Sequence, residues 1–167
     1  MTRQAETRAN PHASALALRN RSAAIYVSGR LSRLDGSPVL PLQELAHDAL
    51  RGLVLSRRFS CVGGKSAFRR GRYRFAMYGE LGDDASAAGL AHDLYAFTGG
   101  MREWSDGLAT FVACFSGPAA LDEGVFEDRL WRQLQLLHDL DRDGWDPNVS
   151  ADPEDPSFSF SFAGQSF

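Results

Sequence analysis

An excess of one charge is missing from this sequence: 18 Lys and Arg stand against 21 Asp and Glu, a formal net charge of −3. So balanced a chain has no global electrostatic footprint for nucleic acid, and no such partner is expected. Cysteine is scarce, limited to Cys61 and Cys114 with no C-x-x-C spacing. The pair is expected to be reduced, in a cytoplasmic setting. No run approaches the roughly 18 consecutive apolar residues of a helical membrane span. The opening stretch MTRQAETRANPHASALALRN lacks a continuous apolar core and is not expected to be a secretory signal. Neither H-E-x-x-H nor G-x-S-x-G occurs, which removes two common hydrolase signatures.

What is present is a chain of 167 residues, 44% hydrophobic and 23% charged, the profile of one globular domain. Residues 1–22 read as a flexible N-terminal extension and 23–167 as the domain. AAIYVSGRL fits either a short strand or part of a helix. Pro41 opens a helical pattern ending near Ser56, with Leu42, Leu45, Ala49 and Leu53 on one side and Gln43, Glu44 and Asp48 elsewhere. FSCVGG reads as a buried strand running into a glycine turn. Tyr73, Phe75 and Met77 alternate with Arg72, Arg74 and Ala76, the period of a half-buried strand. DDASAAGLAHDLYAF places acids at a helix start, with Thr98-Gly99-Gly100 as its end. LATFVACF reads as a central strand covered on both faces.

VFEDRLWRQLQLLHDLD is the clearest helix, with a stripe of Phe126, Leu130, Leu134 and Leu137 and with Trp131 and His138 beside it. A long polar loop follows. SFSFSF then sets Phe158, Phe160 and Phe162 on one strand face. The order of elements predicts an α/β fold (α+β in the broad sense), a single domain with a mixed sheet and packed helices. The patterned strand so near Phe167 raises the expectation that the natural domain continues beyond it.

The segment CVGGKSAFRRGRYRF carries most of the chemistry-bearing residues. Gly64-Lys65-Ser66 imitates the end of a P-loop, but Phe59 stands where the first glycine belongs, and a strand rather than a helix is expected to follow. Arg69, Arg70, Arg72 and Arg74 suit either an anion or a solvated turn and strand face. Cys61 suits either a thiolate or a small buried hydrophobe. His92 and His138 each precede an aspartate that could fix one imidazole tautomer, and they read as cofactor ligands or as structural residues. His12 and His47 read as surface residues.

Phe59-Ser60-Cys61, Gly64-Lys65, Ala67, Gly71 and Arg74-Phe75, followed by LAHDLYAF, WRQLQLLHDLD and DPSFSFSFAGQSF, resemble the YqcI/YcgG family across roughly residues 55–167. Ser60 departs from the family, which has proline before the cysteine, so the stiffness of that turn differs. The resemblance implies a haem-dependent oxygenase that N-hydroxylates a guanidine or amine such as arginine, served by an electron donor. The family's axial histidine is expected in a His-Pro segment after the SFSF strand, outside this chain. The cofactor-pocket candidates are Cys61, Lys65, Arg70, Arg74, His92, Trp131 and His138, with the arginines toward a propionate or carboxylate. The alternative is a non-catalytic remnant or binding module of the same fold without cofactor. A homo-oligomer is a further expectation, because unpaired apolar edges invite association.

Overall fold

The computed structural model describes residues 9–101, 109–119 and 122–167. Its centre is a four-stranded sheet in the order β2-β1-β3-β4. The undecided AAIYVSGRL segment is a hairpin. β1 (Ala24–Val27) and β2 (Arg30–Arg33) pair antiparallel through Ser28 and Gly29, both at positive φ (53° and 84°). Two successive left-handed residues make the turn whose twist matches that of the strands it joins. β3 (Tyr73–Glu80) lies antiparallel to β1 and parallel to β4 (Thr110–Gly117), so the sheet is mixed, as expected for an α/β chain. The parallel pair is bridged by α4 (Asp84–Met101), the crossover that such pairing requires. That helix runs on through Gly99 and Gly100, which were expected to end it.

β4 exists where the apolar run placed it, although Leu108 lies outside the described residues. It is not central: among the described strands it sits at an edge, and its residues are half-buried apart from the exposed Ser116. A continuous apolar run reports that both faces of a strand are covered but says nothing about its open side.

Side-chain alternation sends β3 and β4 into two separate cores. On one face Tyr73, Phe75, Val112 and Cys114 meet α2 (Pro41–Leu55) and α3 (Val62–Arg69) through Leu50, Val54 and Phe68. On the other, Ala76, Tyr78, Phe111 and Phe115 meet α4 through Leu90, Ala91, Leu94 and Phe97. α5 (Glu123–Leu140) lies against α4 and is clamped at Gly82. There Arg132 Nε donates to the Gly82 carbonyl at 2.7 Å, and Gly82 N donates to Gln133 Oε1 at 3.0 Å. Of its expected stripe only Leu137 is fully buried, while Phe126 and Leu130 are exposed.

Part of the expected flexible extension is ordered. α1 (Ala15–Asn20) is capped by Ser14, whose hydroxyl accepts from Ala17 N, and it packs on α4. The packing needs Gly89, since a Cβ there would overlap the Asn20 carbonyl. Asp93 of α4 then fixes the path into β1. Its buried Oδ2 accepts from Ser22 N (2.6 Å), Ala23 N (2.8 Å) and the Tyr78 hydroxyl (3.0 Å). Burial, reinforced by the Asp93 charge and hydrogen bond, holds that hydroxyl well above its ordinary pKa, so it remains a donor.

α2 begins and ends as its sequence signals indicate, but Gln43 and His47 are buried, and the leucine side faces solvent. Gln43 Nε2 and His47 Nε2 find partners inside, while the buried Gln43 Oε1 has none among the described residues. Gln43 Nε2 donates to the Ser22 carbonyl at 2.9 Å, and His47 Nε2 is 2.8 Å from the Tyr73 hydroxyl. His47 is therefore a core residue rather than a surface one, ringed by Tyr26, Tyr73 and Phe75. His12 is also buried, between Tyr95 and Phe162.

SFSFSF is mostly not strand. β5 (Ser161–Phe162) turns through Ala163-Gly164 into β6 (Gln165–Ser166), a small hairpin apart from the main sheet. Phe162 is fully buried in the α4-side core, Phe160 is half-buried and packs against that core, and Phe158 is half-buried.

Candidate functional site

The seven expected pocket residues fall into separate places. Cys61 is not in a buried strand. It is exposed at the N-cap of α3, where its Sγ accepts from Gly64 N at 3.3 Å. The two glycines that suggested a turn lie inside the first helical turn, and Gly64 is pressed against the Phe59 ring. A helix thus does follow the cysteine, contrary to expectation. The P-loop imitation still fails, on different grounds. The segment is preceded by a helix and a short loop, and the Lys65 and Gly64 amides are already committed to Cys61 O and Sγ. Lys65 is half-exposed on α3, and Arg70 is exposed at its C-cap. Arg74 alternates onto the opposite face of β3, half-buried beside Phe111 in register.

His92 lies in the α4 layer, its Nδ1 3.0 Å from Asp93 Oδ1. It borders a cavity of about 110 Å³ shared with Arg21, Leu34 and Asp35. That corner is already neutralised. Burial pushes the Asp35 carboxyl up, but hydrogen bonds from Ser37 and Arg33 overcome this and hold it well below the usual carboxylate range. The space suits a few waters at roughly 30 Å³ each, not an organic ligand.

Only Trp131 and His138 come together. They lie on α5 with Leu134 and Gln135, facing Trp145, Phe158 and Phe160 across a groove of about 250 Å³ whose far rim carries Ala151 and Pro153. The rings form a chain. Trp131 is 6.1 Å from Phe158, Phe158 is 6.3 Å from Trp145, and Trp145 stands edge-on to both Phe160 (5.9 Å) and His138 (5.7 Å). Edge-to-face and tilted contacts at these separations are the favoured aromatic geometries. The Trp145 indole N–H is buried without a hydrogen-bond partner among the described residues.

The loop carrying Trp145 is polar in composition but regular in construction. Asp141, Asp146, Asp152 and Asp155 each accept, through Oδ1, the backbone N–H two residues on, at 2.8–3.1 Å. Such aspartate turns fold a chain locally without helix or sheet. The hydrogen bonds from Asn148 and Ser157 also hold the Asp146 and Asp155 carboxyls below their ordinary pKa, so the loop keeps its negative charge. Asp146 Oδ2 and Asp141 Oδ2 reach the hairpin at Ser166 N and Ala163 N. Trp145, Phe158 and Phe160 were missed as site residues. The phenylalanine alternation placed them on one face without saying which helix that face would meet.

The YqcI/YcgG family profile matches residues 50–167, which takes in α3, α4, α5 and the whole groove. The chain belongs to the YqcI/YcgG family. It is 30% identical over 113 residues to a Bacillus subtilis (strain 168) protein described as "Uncharacterized protein YcgG". That alignment covers 65% of this chain and 44% of the relative, so the chain spans less than half the relative's length. No solved structure matches this YqcI/YcgG chain.

The haem implied by the YqcI/YcgG resemblance requires an axial donor, flat apolar walls and cations for its propionates. The groove supplies His138 and aromatic walls. Its volume, however, lies below the roughly 300–1,000 Å³ of pockets that enclose ordinary ligands, and Lys65 and Arg70 belong to the helix layer behind the sheet. The described residues therefore do not fit an enclosed haem. Among them there is also no cluster of three or more His, Cys, Asp or Glu able to hold a metal ion. No helix among them is long and apolar enough to cross a membrane.

Proposed function

We propose that this chain contributes the substrate-cation groove of a YqcI/YcgG-family N-oxygenase acting on a small amine or guanidine such as arginine. The observation that supports this reading is the row of Trp131, Phe158, Trp145 and Phe160 beside His138, in a groove walled by an acidic loop. Aromatic faces attract ammonium and guanidinium groups by about 0.5–2 kcal/mol each, more as water is excluded. Asp152, Glu154 and Asp155 add long-range attraction for the same charge without lining the groove. Gln135 is held by Asp139, its Nε2 donating to Oδ1 at 2.8 Å, and offers its amide oxygen to a substrate N–H. His138 stands exposed at the rim, where its ring adds a polar edge within reach of the bound nitrogen. Haem and an electron donor belong to this reading through the resemblance alone, and the groove enters it only as a binding surface.

Tryptophan fluorescence tests the proposal. Arginine should give a saturable change that neutral citrulline does not, and Phe158→Ala and Trp145→Ala should each weaken binding about tenfold. Equal responses to arginine and citrulline, or indifference to both substitutions, would overturn it. Added hemin separates the catalytic reading from the binding-module alternative. One Soret-absorbing haem per chain favours the oxygenase, while cation binding without haem favours the module.

A further inference from the structure

On α2 the leucine side is turned outward. Leu42, Leu45 and Leu53 are 54%, 67% and 57% exposed, and Leu40, just before the helix, is 60% exposed. The helix cannot roll to hide them. Gln43 and His47 are hydrogen-bonded in the interior to Ser22 and Tyr73, and Arg51 is held over the Tyr26 ring at 4.4 Å from its centroid. A roll would strand these polar groups, at a cost of about 1–3 kcal/mol for each buried unsatisfied one. An apolar stripe of this kind, fixed outward, marks a contact surface.

We propose that the stripe pairs with α2 of a second copy of this chain in an antiparallel, two-fold arrangement. The stripe is self-complementary. Leu45 and Leu53 are equidistant from Ala49, so a two-fold axis at Ala49 sets each copy's Leu45 against the other's Leu53. Ala49 and Gly52 are exposed at the crossing, and nothing lies within 4 Å of a Cβ added at Gly52, so two backbones can approach closely. Charge follows the same symmetry. Glu44 lies in the first turn of the helix, and Arg57 and Arg58 follow its end. Antiparallel pairing brings Glu44 of each copy toward the basic end of the other, and it opposes the helix dipoles favourably. A dissimilar partner would require neither symmetry. The surface lies behind the sheet from the aromatic groove, so the pairing does not rest on the groove's proposed role.

Sedimentation equilibrium of the full chain should show a concentration-dependent dimer. Leu45→Glu should weaken it by on the order of tenfold to a hundredfold while leaving the far-ultraviolet spectrum unchanged, because the side chain is exposed. In a Cys61→Ser background, Ala49→Cys should cross-link to itself under mild oxidation, whereas Glu44→Cys should not. A chain that stays monomeric at every concentration, as it would if the stripe serves a different protein, overturns the proposal. So does a dimer indifferent to Leu45→Glu, or one in which Ala49→Cys fails to cross-link.

Discussion

The two faces of the sheet solve the burial problem in opposite ways. On the α4 face the helix is apolar nearly all round and is sandwiched between the sheet and α1 and α5, with one buried carboxylate at its centre. On the α2 face the helix contributes Gln43 and His47 to the interior and leaves its leucines outside. Hydrophobicity thus decides orientation only where no buried polar partner competes. Beneath α2, Ser22 and Tyr73 are buried, and the Ser22 carbonyl and the Tyr73 hydroxyl meet the polar side of the helix.

This contrast is most easily broken at Asp93. Asp93→Ala removes the acceptor of two backbone N–H groups and one buried hydroxyl, and it should destabilise the chain by about 3–5 kcal/mol in urea unfolding. Leu45→Ala, which deletes far more apolar surface, should change the stability of the monomer by no more than about 0.5 kcal/mol. Reversal of that order would mean that α2 is turned the other way in solution.

Tyr73→Phe probes the α2 face alone. The ring keeps its stack on Phe68 (4.0 Å between centroids), and the hydroxyl's contacts with His47 Nε2 (2.8 Å) and Arg51 are lost. An expected loss of about 1–2 kcal/mol, read by the same unfolding curve, reports what the polar interior contributes. No loss would indicate that the Tyr73–His47 contact does not fix the roll of α2, the other imidazole nitrogen being 3.1 Å from Asp48 Oδ1.

The same contrast explains what was legible in the sequence. Pro41 and the leucine periodicity located α2 correctly, because helix starts and periods are local properties. Its orientation depended on Ser22 and Tyr73, which are distant in the chain. α3 was hidden because Gly63 and Gly64 are poor helix formers and Cys61 is an unusual cap, so local propensity pointed to a turn. The groove was half legible. Trp131 and His138 stood out on α5, but their partners Trp145, Phe158 and Phe160 are brought there by aspartate turns whose path no periodicity reveals. The family resemblance was carried by short segments, and these mark both helix layers rather than one site. That is why the expected pocket residues lie on both sides of the sheet.

The smallest expected effect lies where the N-terminal segment and β5 meet the α4 core. His12 is buried between Tyr95 and Phe162, and its Nε2 has no hydrogen-bond partner among the described residues. Burial lowers its pKa from 6.5. Asp141 and Asp143 oppose the shift, while Arg142 and His92 add to it. The unfolded chain therefore takes up this proton at a higher pH than the folded one. Stability attributable to His12 is full above about pH 6.5 and declines as the pH falls below it, until the folded imidazole is protonated too. Thermal midpoints measured between pH 7.5 and 5 should fall more steeply for the natural chain than for His12→Phe, which keeps the ring contacts but cannot titrate. Parallel slopes for the two proteins would show that His12 binds its proton as readily folded as unfolded, and that this corner is open to water.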